Sequence, residues 1–254
     1  MQICMLASGS QGNSIYASDG VTSILIDAGL SGVEIERRMN ARGLDIKRLD
    51  AIIVSHEHTD HIRGVGILAR RYRLPVYISA KTHDLAAAQL GALNQIVNFS
   101  CGTGFSINDL SIRPFSISHD AGDPAGFTVS SNGCKIGIAT DLGIATAMVR
   151  HHLKNCACLI LEANHDMLML EQGPYPWSVK QRVKGRTGHL SNESSRELLM
   201  DVMHEKMSHL ILAHLSETNN TPGKALRVVT EHLPDTRLTV SVACQSSPGP
   251  VIFI

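Results

Sequence analysis

His56-Glu57-His58-Thr59-Asp60-His61 follows directly on the apolar run Ala51-Ile52-Ile53-Val54-Ser55, so three histidines and an aspartate fall within six residues at the end of a buried strand. A tight turn after the strand bunches them. Imidazole and carboxylate together suit a borderline divalent ion such as Zn²⁺, Mn²⁺ or Fe²⁺, whereas Ca²⁺ or Mg²⁺ would call for oxygen ligands alone. Histidines at i and i+2 with a following Asp-His pair can serve two neighbouring ions. The helical zinc signature His-Glu-x-x-His is excluded, because Asp60 stands where its second His belongs, and Glu57 is therefore not read as a general base.

Outward from this motif, composition sets broad limits. With 254 residues, 43% of them apolar, the chain can bury a sizeable core. Lys plus Arg and Asp plus Glu number 23 each, so no global charge draws the chain to nucleic acid, and an anionic substrate must be attracted by a local patch or by metals. The 13 histidines lean toward metal or acid–base chemistry. Cys4, Cys101, Cys134, Cys156, Cys158 and Cys244 form neither a C-x-x-C pair nor a disulfide framework and are expected to be reduced core residues. The chain opens directly on a strand, without a basic leader, and no apolar run approaches the ~20 residues of a membrane span; the expected compartment is the cytoplasm, without membrane contact.

Apolar patterning predicts strands over 3–7, 14–17, 23–26, 51–54 and 76–79, with helices over 33–42 (closed by Gly43), 62–71 and 80–90. The loop Ser8-Gly9-Ser10-Gln11-Gly12-Asn13 lacks a P-loop's Gly-Lys-Ser/Thr and reads as a turn or a substrate contact. A middle run of strands over 95–99, 105–107, 110–118, 126–130 and 135–139, with turn dipeptides such as Asn132-Gly133, favours antiparallel hairpins. Helix 144–153, strand 158–161, helix 193–204 capped by Ser191, strand 210–213, helix 223–232 and strand 237–242 complete the chain. His83, His151, His152, His204, His209 and His232 are read as structural. The segment 173–186 holds the only Trp, and Lys180, Arg182, Lys184 and Arg186 recur at every second position. It is either a solvated basic face or a surface for a nucleic-acid backbone and an unstacked base. No repeat or linker divides the sequence, and 1–254 is expected to be one domain.

Asp27, His56, His119, Asp141, Glu162 and His214 each lie at or just beyond the end of an apolar strand. Such positions converge on one edge of a sheet. This ordered set resembles the metallo-β-lactamase superfamily of hydrolases, which implies an α/β (α+β) four-layer αββα sandwich. The resemblance also implies a dinuclear site in which His56, His58 and His119 bind one divalent ion, Asp60, His61 and His214 bind the other, and Asp141 bridges them. Asp27 and Glu162 would then stand behind the ligands and orient them. The superfamily's di-iron redox branch carries Glu at the second motif His, so His58 favours hydrolysis.

Leu6-Ala7-Ser8-Gly9-Ser10, Glu162-Ala163-Asn164-His165-Asp166, Gly173-Pro174-Tyr175-Pro176-Trp177 and Gly188-His189-Leu190-Ser191-Asn192 resemble the signature segments of the YycJ/WalJ group of compact bacterial proteins, with Ala163 where that group usually has Ser. The resemblance implies a DNA exonuclease acting from 5′ ends with two divalent metal ions, Zn or Mn, or Fe. His189, Asp60 and Asp141 would act catalytically, and Asn164, His165, Trp177, Lys180, Arg182 and Arg186 would contact a nucleic-acid substrate, DNA rather than RNA. Two alternatives stand beside it: a hydrolase of a small phosphodiester such as a cyclic nucleotide, and a catalytically silent metal-binding regulator. A silent protein is expected to lose ligands or the assisting His, and this chain keeps both.

Overall fold

The computed structural model describes residues 1–233 and 237–254. One sheet runs in the spatial order β14 (Ile252–Phe253), β1 (Gln2–Ala7), β2 (Ser14–Ser18), β3 (Ser23–Ile26), β4 (Ala51–Ile53), β5 (Val76–Ser79), β6 (Ile96–Phe99). The other runs β13 (Thr239–Val242), β12 (His209–Ala213), β11 (Cys158–Glu162), β10 (Cys134–Ala139), β9 (Ala125–Ser131), β8 (Leu110–Ser116), β7 (Phe105–Ile107). Helices cover the outer faces: α1 (Gly32–Asn40), α3 (Val65–Tyr72) and α4 (Ala80–Leu90) on the first sheet, α5 (Ala147–Leu153), α8 (Asn192–Val202) and α9 (Pro222–Thr230) on the second.

Strand periodicity builds these layers. In β3, Ile24 and Ile26 face the other sheet while Leu25 faces the helices; in β12, Ile211 and Ala213 point between the sheets while Leu210 and Leu212 point outward. Both faces of the central strands are thus buried, which is why Ala51-Ile52-Ile53 and Leu159-Ile160-Leu161 read as unbroken apolar runs. The fold is an αββα sandwich of two mixed sheets.

Strands β3 to β6 are mutually parallel, as are β10 to β13, while β1 to β3 and β7 to β10 alternate in direction. The carboxyl ends of β1, β3, β4, β8, β10, β11 and β12 consequently share one edge of the sandwich. One expectation fails here: β6 is not part of the antiparallel run but adds in parallel to β5, the intervening α4 supplying the crossover a parallel pair requires.

The expected helix over 62–71 is divided. The motif itself forms a single turn, α2 (Thr59–Ile62), and α3 restarts behind Gly64, where a Cβ would lie 2.4 Å from the Leu30 carbonyl oxygen. Segment 163–186 carries two short helices, α6 (Met167–Gln172), which the sequence pattern did not reveal, and α7 (Trp177–Val183), which makes Lys180 and Arg182 helical and leaves Lys184 and Arg186 beyond its end. Thr146 delays α5 by capping it, its hydroxyl accepting from Val149 N at 3.3 Å. His209 opens β12 instead of lying at a helix end.

All six cysteines are free, but they are not uniformly core residues: Cys101 and Cys134 are half-buried and Cys244 is exposed. Burial pushes the thiols of Cys4 and Cys156 up to about 11 and that of Cys158 up to about 12. Hydrogen bonds from Ser246 and Ser247 instead bring Cys244 down to about 7. Because the thiolate is the nucleophile, iodoacetamide at neutral pH is expected to alkylate Cys244 first, as read by peptide mass mapping over time; earlier labelling of Cys158 would contradict this packing.

Candidate metal centre

Three strands end in the same way. Asp27 after β3, Asp141 after β10 and His214 after β12 adopt left-handed backbone conformations, with φ of 60°, 56° and 56°. Asp and His are among the few side chains that tolerate this region, at a cost of about 1–3 kcal/mol each that surrounding contacts must offset. Each left-handed turn swings a polar side chain off the strand and into the shared edge. The motif turn is pressed against the first of these: Asn13 N and Ala28 N donate to the carbonyls of Asp60 (2.7 Å) and His61 (2.8 Å). Gly29 is needed there, because a Cβ would sit 1.6 Å from the Asp60 carbonyl oxygen.

Four overlapping groups of donor atoms result among the described residues, and the first two considered are His56, His58 and His119, and Asp60, His61 and His214. His58 Nδ1 lies 3.1 Å from His56 Nε2 and 3.3 Å from His119 Nε2. Ligands held tetrahedrally by an ion with metal–nitrogen bonds of 2.0–2.1 Å stand about 3.3 Å apart, so this triad matches a common cation. In the second group, His61 Nε2 lies 3.5 Å from Asp60 Oδ2, and His214 Nε2 lies 3.9 Å from that same oxygen. Asp141 reaches both groups, with Oδ2 3.4 Å from His61 Nε2 and Oδ1 3.5 Å from His214 Nε2 and 3.9 Å from His119 Nε2. Asp141 Oδ2 and His214 Nε2 are buried without any hydrogen-bond partner, a costly condition that a bound cation relieves. The residues present fit divalent cations.

The outer contacts choose the tautomers. Asp27 accepts from Ser55 N (2.8 Å), Ser55 Oγ (2.8 Å) and His61 Nδ1 (2.7 Å). Since Ser55 Oγ commits its only proton to Asp27, it must accept from His56 Nδ1 at 2.9 Å. His119 Nδ1 donates to the Gly188 carbonyl at 3.3 Å. Glu162 Oε1 accepts from His214 Nδ1 (2.9 Å) and His189 Nδ1 (2.8 Å), while its Oε2 accepts from Leu142 N (2.8 Å) and Leu190 N (3.1 Å). His56, His61, His119 and His214 thus all turn the Nε2 lone pair inward, as metal-binding imidazoles require.

Protonation follows the same contacts. Burial, with neighbouring imidazoles, lowers His56 and His119, although Asp141 opposes it. Burial also works against His61 and His214, but the carboxylates of Asp141, Asp27, Asp60 and Glu162 prevail, raising His61 well above the usual range and His214 to about 10. Burial would raise the carboxyls, and the histidines overcome it: Asp60 and Asp141 lie far below the carboxylate range and Glu162 falls to about 2. The site concentrates anionic charge that cationic partners stabilise.

A family model described as the β-lactamase superfamily domain matches residues 22–215. Two relatives match nearly the whole chain: exodeoxyribonuclease YycJ of Bacillus anthracis, 36% identical over 237 residues covering 92% of this chain and 90% of the relative, and exodeoxyribonuclease WalJ of Streptococcus pneumoniae serotype 2 (strain D39), 34% identical over 242 residues covering 94% and 90%. The chain belongs to the YycJ/WalJ family of the metallo-β-lactamase superfamily. It is a metal-dependent hydrolase. The crystal structure of the metallo-β-lactamase fold protein YhfI from Bacillus subtilis shares the fold over 98% of each chain, with a TM-score of 0.73 at 14% identity.

For a YycJ/WalJ-family chain, the residues named from sequence fall into three sets, one of which, Trp177, Lys180, Arg182 and Arg186, lies on or just after α7. His56, His58, Asp60, His61, His119, Asp141, His189 and His214, with Asp27 and Glu162 behind them, converge on one centre. Asn164 and His165 do not reach a surface. Asn164 is 8% exposed and its amide holds the His214 carbonyl at 2.9 Å, and His165 is 1% exposed with both ring nitrogens unpartnered, burial pushing it down to about 4. Glu57 accepts from Gly122 N at 2.7 Å, a loop contact that agrees with its exclusion as a base. Ser55 is given no role by the sequence, and Ser8 and Asn13 enter it only within a loop read as a turn or a substrate contact, not as supports of the ligands. The Asn13 amide stands 3.2 Å from Asp60 Oδ2 and 3.0 Å from His61 Nε2, and Ser8 Oγ accepts from His214 N at 2.7 Å. Their signal is positional, since both Ser8 and Asn13 bound the loop that opens on the same strand edge.

Asp27→Asn tests this arrangement without backbone penalty, because Asn tolerates a left-handed φ. It is expected to weaken metal binding by about 10–100-fold, measured by chelator competition with elemental analysis. Unchanged metal affinity would refute the role of Asp27.

Proposed function

We propose that this chain is a dinuclear-metal phosphodiesterase that removes nucleotides from DNA ends, the 5′ end being the starting point its family resemblance implies. The observation that carries the reading is Asp141 standing between two complete donor groups with His189 beside them. The imidazole of His189 lies 5.2 Å from His119 and 5.0 Å from His214, centroid to centroid. His56, His58 and His119 would hold one cation, Asp60, His61 and His214 the other, and Asp141 both. Two Zn²⁺ or Mn²⁺ ions there, or Fe²⁺, would supply an activated water, a clamp on the phosphate oxygens and neutralisation of charge in the in-line transition state.

The protein's own groups account for the rest. His189 Nδ1 is committed to Glu162, which leaves Nε2 to stabilise developing charge or to protonate the leaving oxygen. Its side chain keeps 20% exposure, so it borders the site's mouth while Glu162 behind it is sealed off. The relatives are named exodeoxyribonucleases, and DNA is the substrate proposed here.

Helix α7 supports a polynucleotide. Arg182 Nε pairs with Asp120 Oδ2 at 2.6 Å, and Asp120 Oδ1 stands 3.4 Å from His119 Nε2, which docks the basic helix against the metal centre. Trp177 is 72% exposed with the Lys184 ammonium 5.3 Å from its ring centroid, and Arg186 is exposed nearby in sequence. An aromatic face among cations suits an unstacked base between phosphates. Lys180 donates to the Glu171 carbonyl at 2.8 Å and keeps two N–H groups for other acceptors.

His189→Ala is expected to lower kcat by about 10²–10⁴-fold with metal content and KM close to wild type, measured on an end-labelled oligonucleotide. Wild-type turnover in the fully metallated variant would sink the assignment. The combined Trp177→Ala, Lys180→Ala, Arg182→Ala variant is expected to bind single-stranded DNA more weakly and to flatten the dependence of affinity on salt, by about 0.7 in log–log slope for each phosphate it no longer neutralises. An unchanged slope by fluorescence anisotropy would place the strand elsewhere.

A further inference from the structure

Beside the metal centre, with Asp60 in its wall, lies a cleft of about 630 Å³. Its lining includes Ser10, Gln11, Thr59, Asp60, Arg63 and Gln245. That volume is within the range of small-molecule sites. Its rim is a built structure. Gln11 N donates to Gln245 Oε1 (2.9 Å), Gln245 Nε2 donates to the Gly12 carbonyl (3.2 Å) and Gln11 Nε2 donates to Glu217 Oε2 (2.9 Å). Gly9, at φ 137°, leaves no room for a side chain beneath Gln245, whose Oε1 would be 2.4 Å from a Cβ.

Two arginines line the cleft, and only one is available to a ligand. Arg38 is buried and fully engaged, its Nε on Glu34 (2.6 Å) and its terminal nitrogens on the carbonyls of Leu6, Gln245 and Ser246 at 2.9, 2.9 and 3.1 Å. It braces the wall. The Arg63 side chain is exposed and makes no hydrogen bond or ion pair among the described residues. It caps the C-terminus of α2 three residues after Asp60, which puts both on one face of that turn and both on the cleft.

This distribution of charge is the opposite of that on α7. On and just after α7, Arg182 is paired to Asp120, but Lys180 keeps two N–H groups and Lys184 and Arg186 follow, which leaves three cations for phosphates in succession. The cleft offers a single free guanidinium, and the Glu217 carboxylate on its rim disfavours a second phosphate. We infer that the cleft is the subsite for the terminal nucleotide of the strand and that Arg63 binds the phosphate at its end, a planar fork meeting an anion of matching geometry. This rests on the phosphodiesterase reading above. It assigns the strand body to α7, the scissile bond to the metal centre, and the chain end to the Arg63 cleft.

The test uses one single-stranded oligodeoxynucleotide sequence with an internal fluorophore and a 5′-phosphate, a 3′-phosphate or neither, against wild type, Arg63→Gln and Arg63→Lys. Bis(p-nitrophenyl) phosphate, too small to span metal centre and cleft, is the control substrate. Binding is read by anisotropy in EDTA and turnover in the metal-loaded protein. Wild type is expected to bind one phosphorylated end about ten- to a hundredfold tighter than the hydroxyl-ended strand. Arg63→Gln is expected to abolish that preference and raise KM, Arg63→Lys to restore part of it, and both to keep wild-type turnover of the control. A wild type indifferent to terminal phosphates, or an Arg63→Gln that keeps the preference, overturns the subsite while leaving the phosphodiesterase intact. Failure of every substrate to turn over defeats the phosphodiesterase reading instead, and the anisotropy series still decides the cleft.

Discussion

The carboxylate of Asp141 is the constraint on which the rest of the structure depends. It is 2% exposed, carries an oxygen with no hydrogen-bond partner, and has His61, His119 and His214 nitrogens within 3.9 Å. A buried anion left unpaired costs several kcal/mol, at the order-of-magnitude level, and no single imidazole among these neighbours makes a good hydrogen bond to it. Cations are the economical answer. The same carboxylates, Asp141 first, raise His61 and His214 above the usual imidazole range.

Placing that carboxylate requires both sheets. Asp141 comes from β10 and Asp60 and His61 from the turn after β4, so neither sheet alone holds both donor groups. The apolar layer between the sheets, with Ile24, Ile26 and Ile53 on one side and Phe127, Ile138 and Ile160 on the other, sets their separation. Substituting a smaller side chain deep in this layer would move ligands without touching one. The left-handed strand ends are tolerable for the same reason: the packed edge over-determines them.

How much of this was legible follows from what each signal depends on. The donor residues were readable because a polar side chain immediately after an apolar strand is a local pattern, as at Ile53 to His56 and Ala213 to His214. The layers were readable from alternation within strands. What escaped were relations between distant segments. The sheet membership of β6 depends on its partner, not on its own residues. Asn13 looks like any loop amide until Gly29 lets the motif turn close on it. Asn164 and His165 read as substrate contacts because they sit in a signature segment, yet burial ties them to the carbonyl of His214 and to the interior. Signature residues mark importance without distinguishing what touches substrate from what holds the ligand that does.

Glu162 joins these levels. It is fully buried, and a carboxylate in that position must be satisfied on every side. Two backbone N–H groups, from Leu142 just after Asp141 and from Leu190 just after His189, satisfy one oxygen. The other oxygen is shared by His214 and His189. The carboxylate therefore aligns the segments on either side of the centre while fixing the tautomer of a proposed ligand and of the proposed acid together. With its Nδ1 proton held by the same oxygen that orients His214, His189 can exchange a proton only through Nε2. The contact that aims its ring is thus the one that also positions the metal site, so a change at Glu162 must alter the placement of His189 and the metal geometry at once. That coupling explains why a buried glutamate, a costly choice for any core, is worth retaining at the end of β11.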